Sequence, residues 1–220
     1  MKKIILAALC ALSAILLSSC ALGDSLLSAM GFDTHDYSSE EIIDTLSPDD
    51  PDVKRVTDMI KMLSVNDPVL PEFTSPGEAL DKCRDSILNY MLNTGFAKYT
   101  GNNDLIAKAH EKYPELRLIT VIPCEDFENC VYTYFGGNAK LSHRDTELFT
   151  YLENADCYTA VTVPIENNVT VNVVRCERTE RTYRLRFSCA LGGNTSPLYD
   201  ALIVNRTDGS SYFKSLTEVK

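Results

Sequence analysis

The chain has 220 residues, 31 of them acidic and 21 basic, for a net charge of −10, with 45% apolar residues and no tryptophan. This acidity argues against nucleic acid as a partner, since affinity for it rests mainly on neutralising phosphates, and against general electrostatic attraction to anionic lipid. Outside the first twenty residues lie six cysteines, Cys83, Cys124, Cys130, Cys157, Cys176 and Cys189. They show no Cys-x-x-Cys and no Cys/His spacing, which argues against a compact disulfide framework, a zinc site or any other bound cofactor. They read as buried small apolar residues.

Lys2 and Lys3 give the chain a positive start, and Ile4 to Leu17 form an apolar run too short to span a bilayer comfortably. Ser18 and Ser19 then place small residues before Cys20. Leu17-Ser18-Ser19-Cys20 resembles the lipobox of bacterial lipoproteins. The resemblance implies removal of residues 1–19 as a signal peptide and lipidation of Cys20 with fatty-acyl chains such as palmitate. The mature protein would then sit on the extracytoplasmic face of the cell membrane. Two or more acyl chains hold a domain at a membrane stably, where one holds it only marginally. The alternative is an ordinary secretory signal with a chance cysteine. Loss of residues 1–19 leaves 19 basic against 31 acidic residues, a net charge of −12.

Residues 20–74 read as the lipidated cysteine, a polar tether and a short helix. Ala21 to Leu46 is weakly patterned, with a short helix expected near Glu40–Leu46. After Asp49-Asp50-Pro51-Asp52, the apolar residues Val53, Val56, Ile60 and Leu63 recur at helical spacing. Pro51 and Asp52 suit a first helical turn. Three prolines from Pro68 to Pro76 read as a linker, so the globular domain is expected to span residues 75–220.

Ser75-Pro76-Gly77-Glu78 is a capping box with proline at the first helical position. Leu80, Cys83, Ile87 and Met91 mark a buried stripe, and Gly95 fits a stop. A second helix is expected from a cap near Asp104, through Leu105 and His110, to before Pro114. Leu116 to Ile122 is strand-like. Pro123 opens a third helix, with Glu125 and Asp126 complementing its dipole and Phe127, Cys130, Val131 and Tyr134 on its inner face; Gly136-Gly137 ends it.

After Tyr151 the apolar period changes to two. Strands are expected over Cys157–Ile165, Val169–Arg178, Thr182–Leu191, Tyr199–Thr207 and Ser210–Val219, the last two joined by the hairpin signal Asp208-Gly209. Alternation puts Asn172, Val174, Cys176, Tyr183, Leu185, Phe187 and Cys189 inward, and Glu177, Arg184 and Arg186 outward. A register through Glu180-Arg181 sets Glu177 opposite Arg184. A two-residue turn at Asn167-Asn168 would set Thr159 opposite Cys176 and Cys157 diagonal to it. At roughly 7–8 Å such a pair lies too far apart for an unstrained bridge.

Few residues carry a chemical motif. His143-Arg144-Asp145 matches a kinase triplet, but Thr150 stands where that pattern needs asparagine and no Gly-rich loop accompanies it. A nucleophilic pair of Cys124 or Cys130 with His143 is conceivable, set against plain core cysteines. The inward sheet residues include no general acid or base, and no pair from the helices or loops is placed to supply one. Arg175, Arg178, Arg184 and Arg186 form the concentrated basic feature, a candidate interaction patch set against a solvated face with cross-strand pairs.

Helices followed by consecutive strands indicate an α+β fold, N-terminal helices packed on a curved antiparallel meander. The lipobox, the polar tether, Ile122-Pro123-Cys124-Glu125-Asp126-Phe127 and Tyr134-Phe135-Gly136 resemble uncharacterised lipoproteins of Gram-positive bacteria. At fold level the layout resembles cystatin-like or NTF2-like domains, which implies no activity. The expected function is a membrane-anchored, non-enzymatic binding or interaction module for a protein or small molecule. An extracytoplasmic hydrolase or thiol enzyme is the alternative.

Overall fold

The computed structural model describes residues 35–64, 67–117, 120–136, 141–160 and 168–220. The signal segment, Cys20, Asn167 and the second half of the expected strand Cys157–Ile165 lie outside the described residues.

Four helices are described: α1 (Pro51–Met62), α2 (Pro76–Thr100), α3 (Asn103–Lys112) and α4 (Cys124–Phe135). Each start follows from its local chemistry. Asp50 accepts from the Asp52 N–H at 2.8 Å, Ser75 from Glu78 and Asn102 from Leu105, which satisfies amides that have no partner inside the helix. Glu78 reaches back to the Thr74 N–H at 2.7 Å, one residue before the cap, a variant of the expected reciprocal bond. Gly95 is a kink rather than a stop. It leaves helical dihedrals (φ −120°, ψ 23°), and the chain then continues helically to Thr100. A Cβ at Gly95 would lie 2.7 Å from the Tyr99 ring, so this bend requires the missing side chain.

The strands are β1 (Asp44–Thr45), β2 (Ile122–Pro123), β3 (Thr150–Leu152), β4 (Cys157–Thr159), β5 (Thr170–Arg178), β6 (Thr182–Leu191), β7 (Asn194–Thr195), β8 (Tyr199–Asn205) and β9 (Ser211–Glu218). The large sheet runs β1-β5-β6-β8-β9, antiparallel throughout, with β7 also on β6; β2-β4-β3 form a small second sheet. The fold is α+β. The β8–β9 turn closes at Asp208-Gly209, with Gly209 at φ +84° and Arg206 N–H donating to the Ser210 carbonyl at 2.8 Å. Residues 40–46 hold the two-residue strand β1 where a short helix was expected.

Three expectations need correcting. First, residues 35–64 and 67–74 are no tether. Leu46, Val53, Val56, Ile60, Leu63, Leu70 and Phe73 are buried in the same apolar cluster as Ile87, Phe127, Phe187 and Phe213. Phe73 exchanges backbone hydrogen bonds with Leu216 of β9, both at 2.8 Å, and its ring packs edge-on against Phe135 and Phe213. The prolines that read as a linker shape a segment that lies along the edge strand.

Second, β4 pairs with β2 and β3, setting Thr159 opposite Thr150 and Cys157 opposite Leu152. Cys157 and Cys176 therefore lie in different sheets and different apolar clusters, and both are free thiols.

Third, β5 carries a bulge between Val173 and Arg175. The inserted Val174 is 62% exposed, and the alternation shifts by one residue there. Val171 and Val173 pack against the core in place of Asn172 and Val174. Beyond the bulge, Cys176 and the expected inward residues of β6 (Tyr183, Leu185, Phe187, Cys189) are buried.

Candidate functional site

The arginine row does not form one patch. Arg178 sits opposite Tyr183, on the helix-covered face, and reaches Asp44 at 3.3 Å and Asp52 of α1 at 4.0 Å. Arg175, Arg184 and Arg186 share the outer face, and each is engaged there. Arg186 grips Asp200 with two bonds, at 2.8 and 2.7 Å. Arg175 pairs with Glu177, which stands opposite Arg184 as the register predicted. Arg184 donates to the carbonyls of Tyr37, Ser38 and Glu40 at 2.6–3.2 Å, holding the N-terminal segment against the sheet. A shallow hollow of about 260 Å³ remains among these groups, with Glu177 and Asp200 in its wall. As a candidate interaction patch it is largely internally neutralised.

An acid and a base do converge, contrary to the expectation that no such pair exists. His143, on the segment before β3, places Nε2 3.1 Å from Glu128 Oε1 of α4 and Nδ1 3.1 Å from the Tyr158 hydroxyl of β4. Arg84 of α2 donates to that hydroxyl at 2.7 Å and to the Ser142 carbonyl at 2.9 Å. The result is a hydrogen-bonded chain that links Arg84, Tyr158, His143 and Glu128. Tyr158 is fully buried, the His143 ring stacks on Tyr151 at 5.4 Å, and neither His143 nor Glu128 lines the hollow beside Arg186 or the two larger clefts of about 1000 and 700 Å³. The chain ties α2, α4 and the small sheet together.

The thiols are not poised as nucleophiles. Burial pushes Cys83 and Cys130 up to about 12, and Cys157, Cys176 and Cys189 up to about 11. Burial, reinforced by Asp156, also raises Cys124. A thiol is activated by a lowered pKa beside a cation or base. His143 spends both ring nitrogens on Tyr158 and Glu128. Among the described residues, no three His, Cys, Asp or Glu side chains gather as a metal site.

A cleft of about 1000 Å³ lies between α1, α2, α4 and the β8–β9 turn. Met59, Met62, Tyr90 and Tyr134 supply its apolar lining; Lys54, Arg55, Asp58 and Lys61 line the α1 side. Arg55 is braced by Ser211 at 2.6 Å and Asp52 at 3.3 Å, and Lys61 pairs with Asp58 at 3.0 Å. The Tyr90 and Tyr134 hydroxyls meet at 3.1 Å. Burial and that bond raise Tyr134, and one hydroxyl proton is used between the two rings. Sequence reasoning missed this cleft because it read the helix carrying Met59 and Met62 as either docked on the domain or part of a stalk, with no partner named for it.

No family model, curated protein or solved structure matches this chain. The site's own chemistry must therefore carry the functional reading. A concave, mostly apolar surface with a few convergent polar groups is the usual form of a small-ligand site. Methionine linings adapt to varied shapes. Lys54, Arg55 and Lys61 stand against Asp58 and Asp52, the partner of Arg55, and leave one cation in excess, which suits an anionic group on an apolar body.

Proposed function

We propose that this protein is a membrane-anchored, extracytoplasmic bacterial lipoprotein, fixed through Cys20, that binds an anionic amphiphilic small molecule without transforming it. The observation that carries the binding part is the 1000 Å³ cleft, with its methionine and tyrosine lining and its Lys54, Arg55 and Lys61 side. The unactivated thiols favour binding over nucleophilic catalysis. The anchor rests on Leu17-Ser18-Ser19-Cys20 after an apolar run. Methyl-labelled methionine spectra, recorded with fatty acids and short acidic peptides as probes, test the site. Met59 and Met62 signals should move while Met91 stays still, and movement confined to Met91 would count against it. The anchor is tested separately by Cys20→Ala, which should shift the protein to soluble or unprocessed forms; equal membrane recovery of the variant would count against it.

A second reading, an extracytoplasmic hydrolase, takes its support from the convergence of Glu128 and His143. Ester or peptide hydrolysis that disappears in His143→Ala would place that reading ahead of binding.

A further inference from the structure

A second cleft, of about 700 Å³, lies where the chain enters the domain. The first described residue, His35, sets its ring 4.5 Å from that of Tyr37, which lines this cleft with Tyr132, Tyr212, Arg181 and Arg206. Arg206 is held between two rings, 5.2 Å from Tyr132 and 4.8 Å from Tyr212, and donates only to neutral oxygens: the carbonyls of Tyr132 and Thr133 and the Ser210 hydroxyl. Arg181 lies over the Tyr37 ring at 5.2 Å and donates to its hydroxyl. Among the described residues neither guanidinium has a carboxylate within ion-pairing distance, in contrast to Arg175, Arg178 and Arg186. Two acids, Glu180 and Asp208, also line the cleft. Asp208 is turned toward the Ser210 N–H and hydroxyl, at 2.9 and 2.7 Å.

We propose that this cleft is a docking surface for the phosphates of anionic phospholipid headgroups in the membrane that carries the Cys20 anchor. The proposal rests on the lipoprotein reading for its geometry. From Cys20 to His35 the chain can extend about 50 Å at most, and it joins the domain at this cleft, which brings this face within reach of the bilayer. Guanidinium pairs with phosphate through two parallel bonds, and Arg206 is already oriented by its rings. Of the three rings Tyr132 is exposed, and a tyrosine ring sits well at headgroup depth, with one apolar and one wet end. The chain's net negative charge opposes any diffuse attraction, so the contact must be local to these two arginines.

Flotation of residues 20–220 carrying Cys20→Ser, without the apolar signal segment, separates this contact from the anchor. The vesicles are phosphatidylglycerol mixed with phosphatidylcholine, or phosphatidylcholine alone. The protein should float with the mixed vesicles and not with the neutral ones. Arg181→Gln and Arg206→Gln should each weaken binding about fivefold. Because Arg206 also braces α4, two variants guard against misfolding: Arg206→Lys should keep most of the binding, and Glu180→Gln should strengthen it about fivefold. Equal binding to both vesicle types, no binding to either, or Arg181→Gln and Glu180→Gln leaving binding unchanged would overturn the proposal. So would competition by glycerol phosphate at concentrations matching the lipid phosphate, which would mark a site for soluble phosphate esters. Failure of the anchor reading would show instead as absence of lipid mass on Cys20 in the native protein.

Discussion

Ile60→Ala tests whether the segment before Ser75 is part of the folded body. Ile60 is fully buried on α1, in the cluster that includes Val56, Leu63 and Phe213. Truncating a buried isoleucine to alanine costs about 2–5 kcal/mol, as lost transfer energy plus an unfilled cavity. For a body of this size about 3 kcal/mol lowers the melting temperature by roughly 6–12 °C. The same substitution in a solvated tether would stay within about 0.5 kcal/mol of zero. Cutting the chain to residues 75–220 is the severe form of the perturbation. It removes Val53, Val56, Ile60, Met62, Leu63, Leu70 and Phe73, all buried. At about 1.5–3 kcal/mol each, their burial amounts to roughly 10–20 kcal/mol. That matches or exceeds the whole net stability of a typical domain, about 5–15 kcal/mol. Circular-dichroism melts and urea titrations should therefore show a lowered but cooperative transition for Ile60→Ala and none for residues 75–220. A fragment that melts cooperatively within a few degrees of the full chain would refute the reasoning.

Tyr158→Phe should lower stability by about 1–3 kcal/mol in urea titration, because Arg84 and His143 each lose a buried partner while the ring's packing is kept. Gly136→Ala should cost more than about 1 kcal/mol by the same assay. Gly136 has φ +68°, and a Cβ there would lie 3.0 Å from the Tyr212 ring. Raised thiol pKa values predict loss of stability in alkali. The contribution is fully present below the ordinary thiol value near 9 and is lost as the pH rises through about 11–12, since the unfolded chain ionises first. Urea midpoints measured at rising pH should fall across that window, and thiol reagents at pH 8 should label the native protein far more slowly than the unfolded chain.

Much of the fold was legible because its signals are local. The Asp50 and Ser75 caps, the entry into α4 at Pro123 and the Asp208-Gly209 turn each depend on a few adjacent residues. The Glu177–Arg184 register followed from the length of one turn. What was missed depends on contacts between distant parts of the chain. In Val171-Asn172-Val173-Val174-Arg175 nothing marks which residue bulges, yet that choice decides whether Asn172 or the pair Val171 and Val173 meets the core. Pro-rich stretches read alike whether solvated or laid along a strand, so the pairing of Phe73 with Leu216 left no trace. Glu128 and His143 stand fifteen positions apart on different elements, at a spacing that no motif records.

The pairing of Phe73 with Leu216 has a kinetic side. Tyr37 packs with Val204 and Tyr212, and Thr45 pairs with Glu177, so the earliest described residues complete their contacts only on the latest strands. Contacts this far apart in sequence slow folding, because a large loop must close before any of them forms. A chain emerging N-terminus first therefore keeps Tyr37 and Phe73 without their strand partners until β9 has followed, and closes into its native form only once that last strand has been made.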